Sequence, residues 1–189
     1  ERIIEHRFRD GITLCKLLIV PMYPEVQRNA LRIIHSDFVN WRAPSANIIA
    51  NDRLFLARSA SSGPIRNILN HEELDFHLLG EGFASLCPEQ YDIFDQAHIF
   101  KSANFLIGTN GSAFTNMFHM DRKSNIMEFF GRRVHFGFRQ LALEMKHSHH
   151  AVYCEVSPST VQFSHGGKII DGSLCVDFHN VISRVREIR

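Results

Sequence analysis

Apolar strand-like runs alternate with segments of helical period from one end of this chain to the other. Leu14 to Val20 is the first run, closed by Pro21 and Pro24. Behind it Val26, Ala30, Leu31, Ile34, Phe38 and Trp41 recur at helical spacing, which predicts a helix from about Glu25 to Asn40 with one apolar face. Arg53 to Ala57 is a second strand, followed by the polar turn Ser59 to Pro64 and a helix whose start is marked by Asn70. Glu73, three residues on, has the spacing of a capping box, in which Asn70 covers free backbone amides and Glu73 reaches back. Phe83 to Cys87 predicts a third strand, and Pro88 opens a helix carrying Ile93, Ala97 and Phe100 on one face. Asn104 to Gly108 is a fourth strand, followed by the turn Thr109 to Ser112, a short helix to about Met120 and a fifth strand from Asn125 to Phe129. A helix near Arg139 to Lys146 precedes a sixth strand, Ala151 to Val156. Val161 to Ile170 suits a small hairpin around Gly166 and Gly167, and Val176 to Ile188 a closing helix with Val181, Ile182, Val185 and Ile188 on its apolar side.

Such alternation is the pattern of an α/β fold, here a Rossmann-like, mostly parallel sheet with helices on both faces. No internal repeat, low-complexity tract or linker interrupts it, so residues 1–189 read as a single domain, or as one lobe of a larger enzyme. An apolar fraction of 44% and a charged fraction of 22% are ordinary for a globular chain and exclude disorder and disulfide miniproteins. The formal net charge of +1 comes from acids and bases spread along the chain, which lacks the basic patch that nucleic-acid binding requires. No apolar stretch approaches the roughly 18 residues of a membrane span, and no secretory leader is visible. Cys15, Cys87, Cys154 and Cys175 show no CxxC spacing, and three lie in or beside apolar runs, which reads as buried, reduced thiols. A cytoplasmic location follows, with the lumen of the secretory pathway as the alternative, because four widely spaced cysteines can also pair.

Ligands of open α/β sheets bind beyond the carboxyl ends of the strands, which directs attention to three loops. Arg58 follows the second strand and Arg66 lies shortly beyond it; Gly108 to Ser112 follows the fourth; Glu128 ends the fifth. Gly111 tolerates positive φ, and the helix after it directs unpaired amides at an anion, with Ser112 and Thr115 as hydroxyl donors. A strand-to-helix turn that needs glycine for geometry alone has the same residues. Arg66 can fork two hydrogen bonds onto a diphosphate, or stand as a surface arginine beside a helix. Glu128 can accept from vicinal ribose hydroxyls. His147, His149 and His150 have the spacing of neither HExxH nor a zinc-finger half, and read instead as a polar helix end before a strand. Glu72, Glu73 and Asp75 suit a solvated helix start, so no metal site is assigned. GxGxxG, Walker and GxSxG signatures are all absent, which removes the main support for dinucleotide, P-loop and hydrolase chemistry.

Four blocks in order resemble the family 61 glycosyltransferases, the group that includes capsular-polysaccharide-type bacterial proteins, plant xylan-decorating enzymes and the EGF-domain O-linked N-acetylglucosamine transferase. Arg66-Asn67-Ile68-Leu69-Asn70-His71-Glu72-Glu73-Leu74, behind a strand ending in Arg58, is similar to R-x-I-x-N-x-D/E-E-L, and Asp95-Gln96 to a helix-borne D/E-Q. Phe105 to Asn116, FLIGTNGSAFTN, is similar to hIGxHGAGLTN, and Ile126-Met127-Glu128-Phe129 to hhEh. The resemblance implies a GT-B type enzyme of two facing Rossmann lobes, of which this chain is the carboxyl-terminal donor-binding lobe, its amino-terminal partner lobe lying outside the chain. It implies an inverting, metal-independent transfer from a nucleotide-sugar donor to a carbohydrate or glycoconjugate acceptor, with no cofactor. Carried over by position, Arg58, Arg66, Asn110, Gly111, Ser112 and Thr115 face the diphosphate and Glu128 the ribose, while Asn70, Glu73, Gln96 and Asn116 hold these loops. Asn110 departs from the pattern, standing where the family has histidine. An amide donates a hydrogen bond but neither carries charge nor transfers a proton, so a non-catalytic binding or scaffolding protein with the same fold is the alternative. No catalytic base is assigned.

Overall fold

Five of the predicted strands lie side by side in one parallel sheet. The computed structural model describes residues 39–188 except 41, 59–66, 122 and 164–168. The strand predicted at Leu14 to Val20, nearly all of the helix predicted from Glu25 to Asn40, the turn Ser59 to Pro64 and the Gly166-Gly167 tip therefore lie outside the described residues. In chain order the sheet and its crossovers are β1 (Arg53–Leu56), α1 (His71–Gly80), β2 (Ala84–Leu86), α2 (Ile93–Ser102), β3 (Phe105–Thr109), β4 (Asn125–Phe130), α3 (Gly137–Met145) and β5 (Ser148–Tyr153). The strands run β2-β1-β3-β4-β5 across the sheet, every neighbouring pair parallel.

A parallel sheet covered on both faces requires strands that are apolar on both sides. Leu54, Leu56, Leu106 and Ile126 form one core with α2, α3 and a 3-10 helix at Ser112–His119, through Ile99, Phe100, Phe114, Met117 and Ala142. Phe55, Phe105, Ile107, Met127, Phe129 and Val152 form the other with α1 and α4 (Phe178–Glu187), through Leu74, Leu78, Val181 and Val185. Phe55, Phe100, Phe114, Phe129 and Phe130 are fully buried, and each stabilises the fold by about 1.5–3 kcal/mol relative to exposure. Beyond β5 the chain forms two small antiparallel pairs. β6 (Glu155–Val156) lies beside β9 (Leu174–Cys175), and β7 (Gln162–Phe163) beside β8 (Ile169–Asp171), the pairing expected of the Val161–Ile170 hairpin.

Local details depart from the expectations where a distant partner wins. Asn70 precedes α1 but makes no side-chain cap. Its amide instead donates to the Val176 carbonyl at 2.8 Å and accepts from the Val176 amide at 3.0 Å, so both polar ends serve one distant backbone. The capping box with Glu73, which is exposed, does not form. The helix predicted from Pro88 is two pieces, a 3-10 turn at Pro88–Gln90 and α2 proper, separated by extended Tyr91. Asp92 caps the second piece by accepting from the Phe94 and Asp95 amides at 2.9 and 3.0 Å, which leaves Ile93 largely exposed and Ala97 and Phe100 buried. β5 begins at Ser148, so His149 and His150 belong to a strand and not to a helix end. Cys87 and Cys154 are partly buried, but Cys175 is exposed; all three are free thiols. Burial pushes the Cys154 thiol up to about 12, with smaller contributions from Cys175 and Asp177.

Gly108 pairs with Leu56 between β3 and β1, and a Cβ built there would stand 2.8 Å from the Leu56 Cβ. Gly108→Ala is therefore expected to lower the unfolding free energy by about 1–3 kcal/mol, read as a shift of the urea midpoint at unchanged slope; an unshifted midpoint would mean that the strands separate freely. His147, which is buried, and His150, which is half-buried, make acid sensitivity a second expectation. Burial lowers the affinity of His147 for a proton, opposed by its 3.0 Å bond to the Met117 carbonyl. Burial, then His149 and Arg184, does the same to His150. Both take up a proton less readily in the fold than in the unfolded chain, which protonates them below pH ~6.5, so stability is lost as pH falls below that value. Urea midpoints measured from pH 7 to about pH 5 should fall less steeply for His147→Gln, which keeps an N–H for Met117. An identical slope would contradict this.

Candidate functional site

β1 has β2 on one side and β3 on the other, and the chain leaves the two central strands toward opposite faces. After β1 it leads to α1, which packs on the face of Phe55; after β3 it enters the 3-10 helix, which packs on the face of Leu56. A crevice opens where such a reversal occurs, at the carboxyl ends of the strands. It is a cavity of about 580 Å³, walled by Leu56 to Arg58 after β1, Pro88 and Glu89 after β2, Ile93 and Gln96 on α2, and, around and after the turn that follows β3, Thr109, Gly111 to Ala113, Thr115, Asn116, Phe118 and His119.

Of the residues singled out from the sequence, Arg58, Gln96, Gly111, Ser112, Thr115 and Asn116 meet on these walls. Asn110, Glu128, Asn70 and Glu73 are not among the lining residues, and Arg66 lies outside the described residues. Gly111 has φ −172°, extended backbone open to any residue, so the positive φ expected there is not used. A Cβ at Gly111 would make ordinary contacts, 3.6 Å from the Thr109 carbonyl oxygen and 3.7 Å from Arg58 Nη1. Glycine thus leaves bare backbone facing the guanidinium. The chain then winds as a 3-10 helix: the Phe114 amide donates to the Gly111 carbonyl at 3.0 Å, and the Thr115 hydroxyl to the Ser112 carbonyl at 2.7 Å. Ser112 and Thr115 remain exposed on the cavity wall.

Polar side chains behind the wall fix these loops. Gln96 donates to the carbonyls of Pro88 and Tyr91 at 2.9 and 3.0 Å and accepts from Asn116 at 2.9 Å, joining the loop after β2 to the 3-10 helix. Its neighbour Asp95 is buried and was given no role by the sequence reading. It accepts from the Ser45 amide at 2.9 Å, the Ser45 hydroxyl at 2.7 Å and Arg42 at 2.9 Å. Those bonds, Ser45 first, hold its carboxyl below the usual carboxylate range.

Glu128 is fully buried. Its Oε1 accepts from Asn110 Nδ2 at 2.5 Å, and its Oε2 lies 2.8 Å from His149 Nε2. Enclosed in this way and absent from the cavity wall, Glu128 would meet a ribose directly only if its surroundings opened. Nothing in the spacing of His149 marks it as the partner of Glu128, because only the pairing of β4 with β5 brings them together. The three neighbouring histidines serve three partners, His147 the Met117 carbonyl, His149 Glu128 and His150 Asn125 Oδ1 at 3.2 Å. Among the described residues no group of three His, Cys, Asp or Glu side chains could hold a metal ion.

The cavity thus brings one guanidinium, exposed hydroxyls and bare backbone together with the apolar side chains of Leu56, Ile93 and Phe118. That is a surface able to bind an anionic group carrying a less polar one. Among the described residues no helix is long and apolar enough to cross a membrane. No curated protein matches the chain. The family model Glycosyltransferase 61 matches residues 8–127. The match covers more than half of the chain and takes in Arg58, the Asp95-Gln96 pair and the whole turn after β3, so the protein belongs to the glycosyltransferase 61 family.

Proposed function

We propose that this domain binds a nucleotide sugar at the crevice between β1 and β3 and serves its transfer to a carbohydrate or glycoconjugate acceptor. The observation that carries the reading is the convergence of Arg58 with Gly111, Ser112 and Thr115 on one cavity wall, at the reversal point of a parallel sheet. A nucleoside diphosphate leaving group gains negative charge as the glycosidic bond breaks. A guanidinium binds it through two parallel hydrogen bonds, and hydroxyl and amide donors add to that stabilisation without a cation. Arg66, one turn of sequence further on, is the second cation of this reading. Asn110 offers an amide and no transferable proton, so its part is to hold the turn. Glu128 acts beside it, toward the ribose or through Asn110.

The transfer inverts the sugar, and the domain is the donor-binding lobe of a GT-B type enzyme. The base for the acceptor hydroxyl comes from the facing lobe. A cytoplasmic setting suits the free thiols of Cys87, Cys154 and Cys175. Asn110 also supports a second reading, a protein that binds nucleotide sugars without turning them over.

Calorimetric titration with uridine, guanosine and cytidine diphosphate sugars tests the proposal. At least one base class should bind, and uniform absence of binding by the folded protein would contradict it. Binding with neither transfer nor hydrolysis would favour the second reading. Arg58→Ala and Arg66→Ala should each weaken that affinity about tenfold or more, the loss expected for one charge-assisted hydrogen bond. Unchanged affinity in either variant would remove that arginine from the site.

A further inference from the structure

Two adjacent strands and the turn after a third contribute one polar side chain each to a chain of contacts. His149 on β5 meets Glu128 on β4 at 2.8 Å, and Glu128 accepts from Asn110, the first residue after β3. The His149 side chain is 4% exposed and that of Glu128 0%, so neither is solvated by bulk water. We propose that His149 is a positioning residue for the crevice: through Glu128 it fixes Asn110, and so the Asn110–Ser112 turn that walls the cavity. The inference rests on the donor-site reading above, because the turn matters to function only if a diphosphate lies against it.

The chemistry leaves Glu128 little freedom. A buried carboxylate is costly unless both oxygens find donors, and here one is supplied from each flanking strand. Because a carboxylate only accepts, its contact also decides which end of the Asn110 amide points inward: Nδ2 faces Glu128. The Asn110 backbone is held on the same strand, its amide donating to the Phe129 carbonyl at 3.2 Å. Side chain and main chain together tie Asn110 to β4 at two neighbouring residues. Gly111 and Ser112, the next residues, are already cavity wall. Without the imidazole, Glu128 keeps one donor and must move or admit water to satisfy its other oxygen, and either loosens the bond to Asn110. His150 does not substitute, since successive strand residues point to opposite faces and its ring is engaged by Asn125.

The test compares the full-length chain with His149→Phe and His149→Gln in two measurements. The first is amide hydrogen exchange of the ligand-free protein. The second is calorimetric affinity for uridine, guanosine and cytidine diphosphates. His149→Phe should speed exchange at the Asn110 amide roughly tenfold and weaken diphosphate affinity by a similar factor. His149→Gln, which keeps an N–H donor, should restore most of both. Should His149→Phe fail to fold, His149→Asn takes its place: its shorter amide keeps the position polar but falls short of the Glu128 carboxylate, so faster exchange at Asn110 is again expected. A residue serving stability alone would lower the melting temperature and leave exchange at the turn and affinity untouched, and that result overturns the proposal. If no diphosphate binds even the unmodified protein, the donor-site reading falls, while exchange at Asn110 in the variants still decides the role of His149.

Discussion

At the pairing of β1 with β3, Leu56 and Gly108 stand so close that no Cβ fits on the second strand. That contact leaves no room for a side chain between the two strands that flank the crevice. Arg58 leaves the end of β1, and the Thr109–Ser112 turn leaves the end of β3. Their separation, and hence the geometry of the wall on which Arg58 faces Gly111, follows from strands that run parallel and in register up to Leu56 and Gly108. Glycine is needed at position 108 for this reason and not for its backbone freedom. The glycine with the more suggestive place in the motif, Gly111, sits in extended backbone.

Polar side chains hold the loops of this sheet, at the crevice and away from it. Asp95 gathers Ser45 and Arg42, Gln96 joins the loop after β2 to Asn116, and Asn70 clasps the backbone of Val176. These side chains share a physical logic. A buried donor or acceptor left alone costs about 1–3 kcal/mol, so a satisfied one commits its partner segment to a single place. Glu128 is the extreme case, a wholly buried carboxylate whose two partners come from the two neighbouring strands. The apolar cores set the layers; these contacts set the loops.

The sheet was legible because buried parallel strands must be apolar on both faces, and the runs at Arg53, Phe105 and Asn125 are. The cavity wall was legible in part: Arg58, Gly111, Ser112, Thr115, Gln96 and Asn116 were chosen from the sequence and meet in space. The misreadings have one cause. Asn70 beside Glu73 looks like a local cap, yet its partner is 106 residues away. His149 beside His147 and His150 looks like a polar helix end, yet its partner is on the adjacent strand. Asp95 carries no sign that Ser45 will reach it. Each is decided by a contact that exists only after the sheet has formed, and a reading of neighbours along the chain has no access to such contacts.

The proposed ligand site lies at the reversal between β1 and β3, on the wall where Arg58 meets the turn after β3. Hydrogen exchange of the full-length protein, with and without a saturating nucleoside diphosphate that it binds, tests that placement most directly. Slowed exchange concentrated at residues 57–58 and 109–116 is the predicted result. Protection confined to the opposite face of the sheet, along α1 and α4, with no change at the turn, would contradict it.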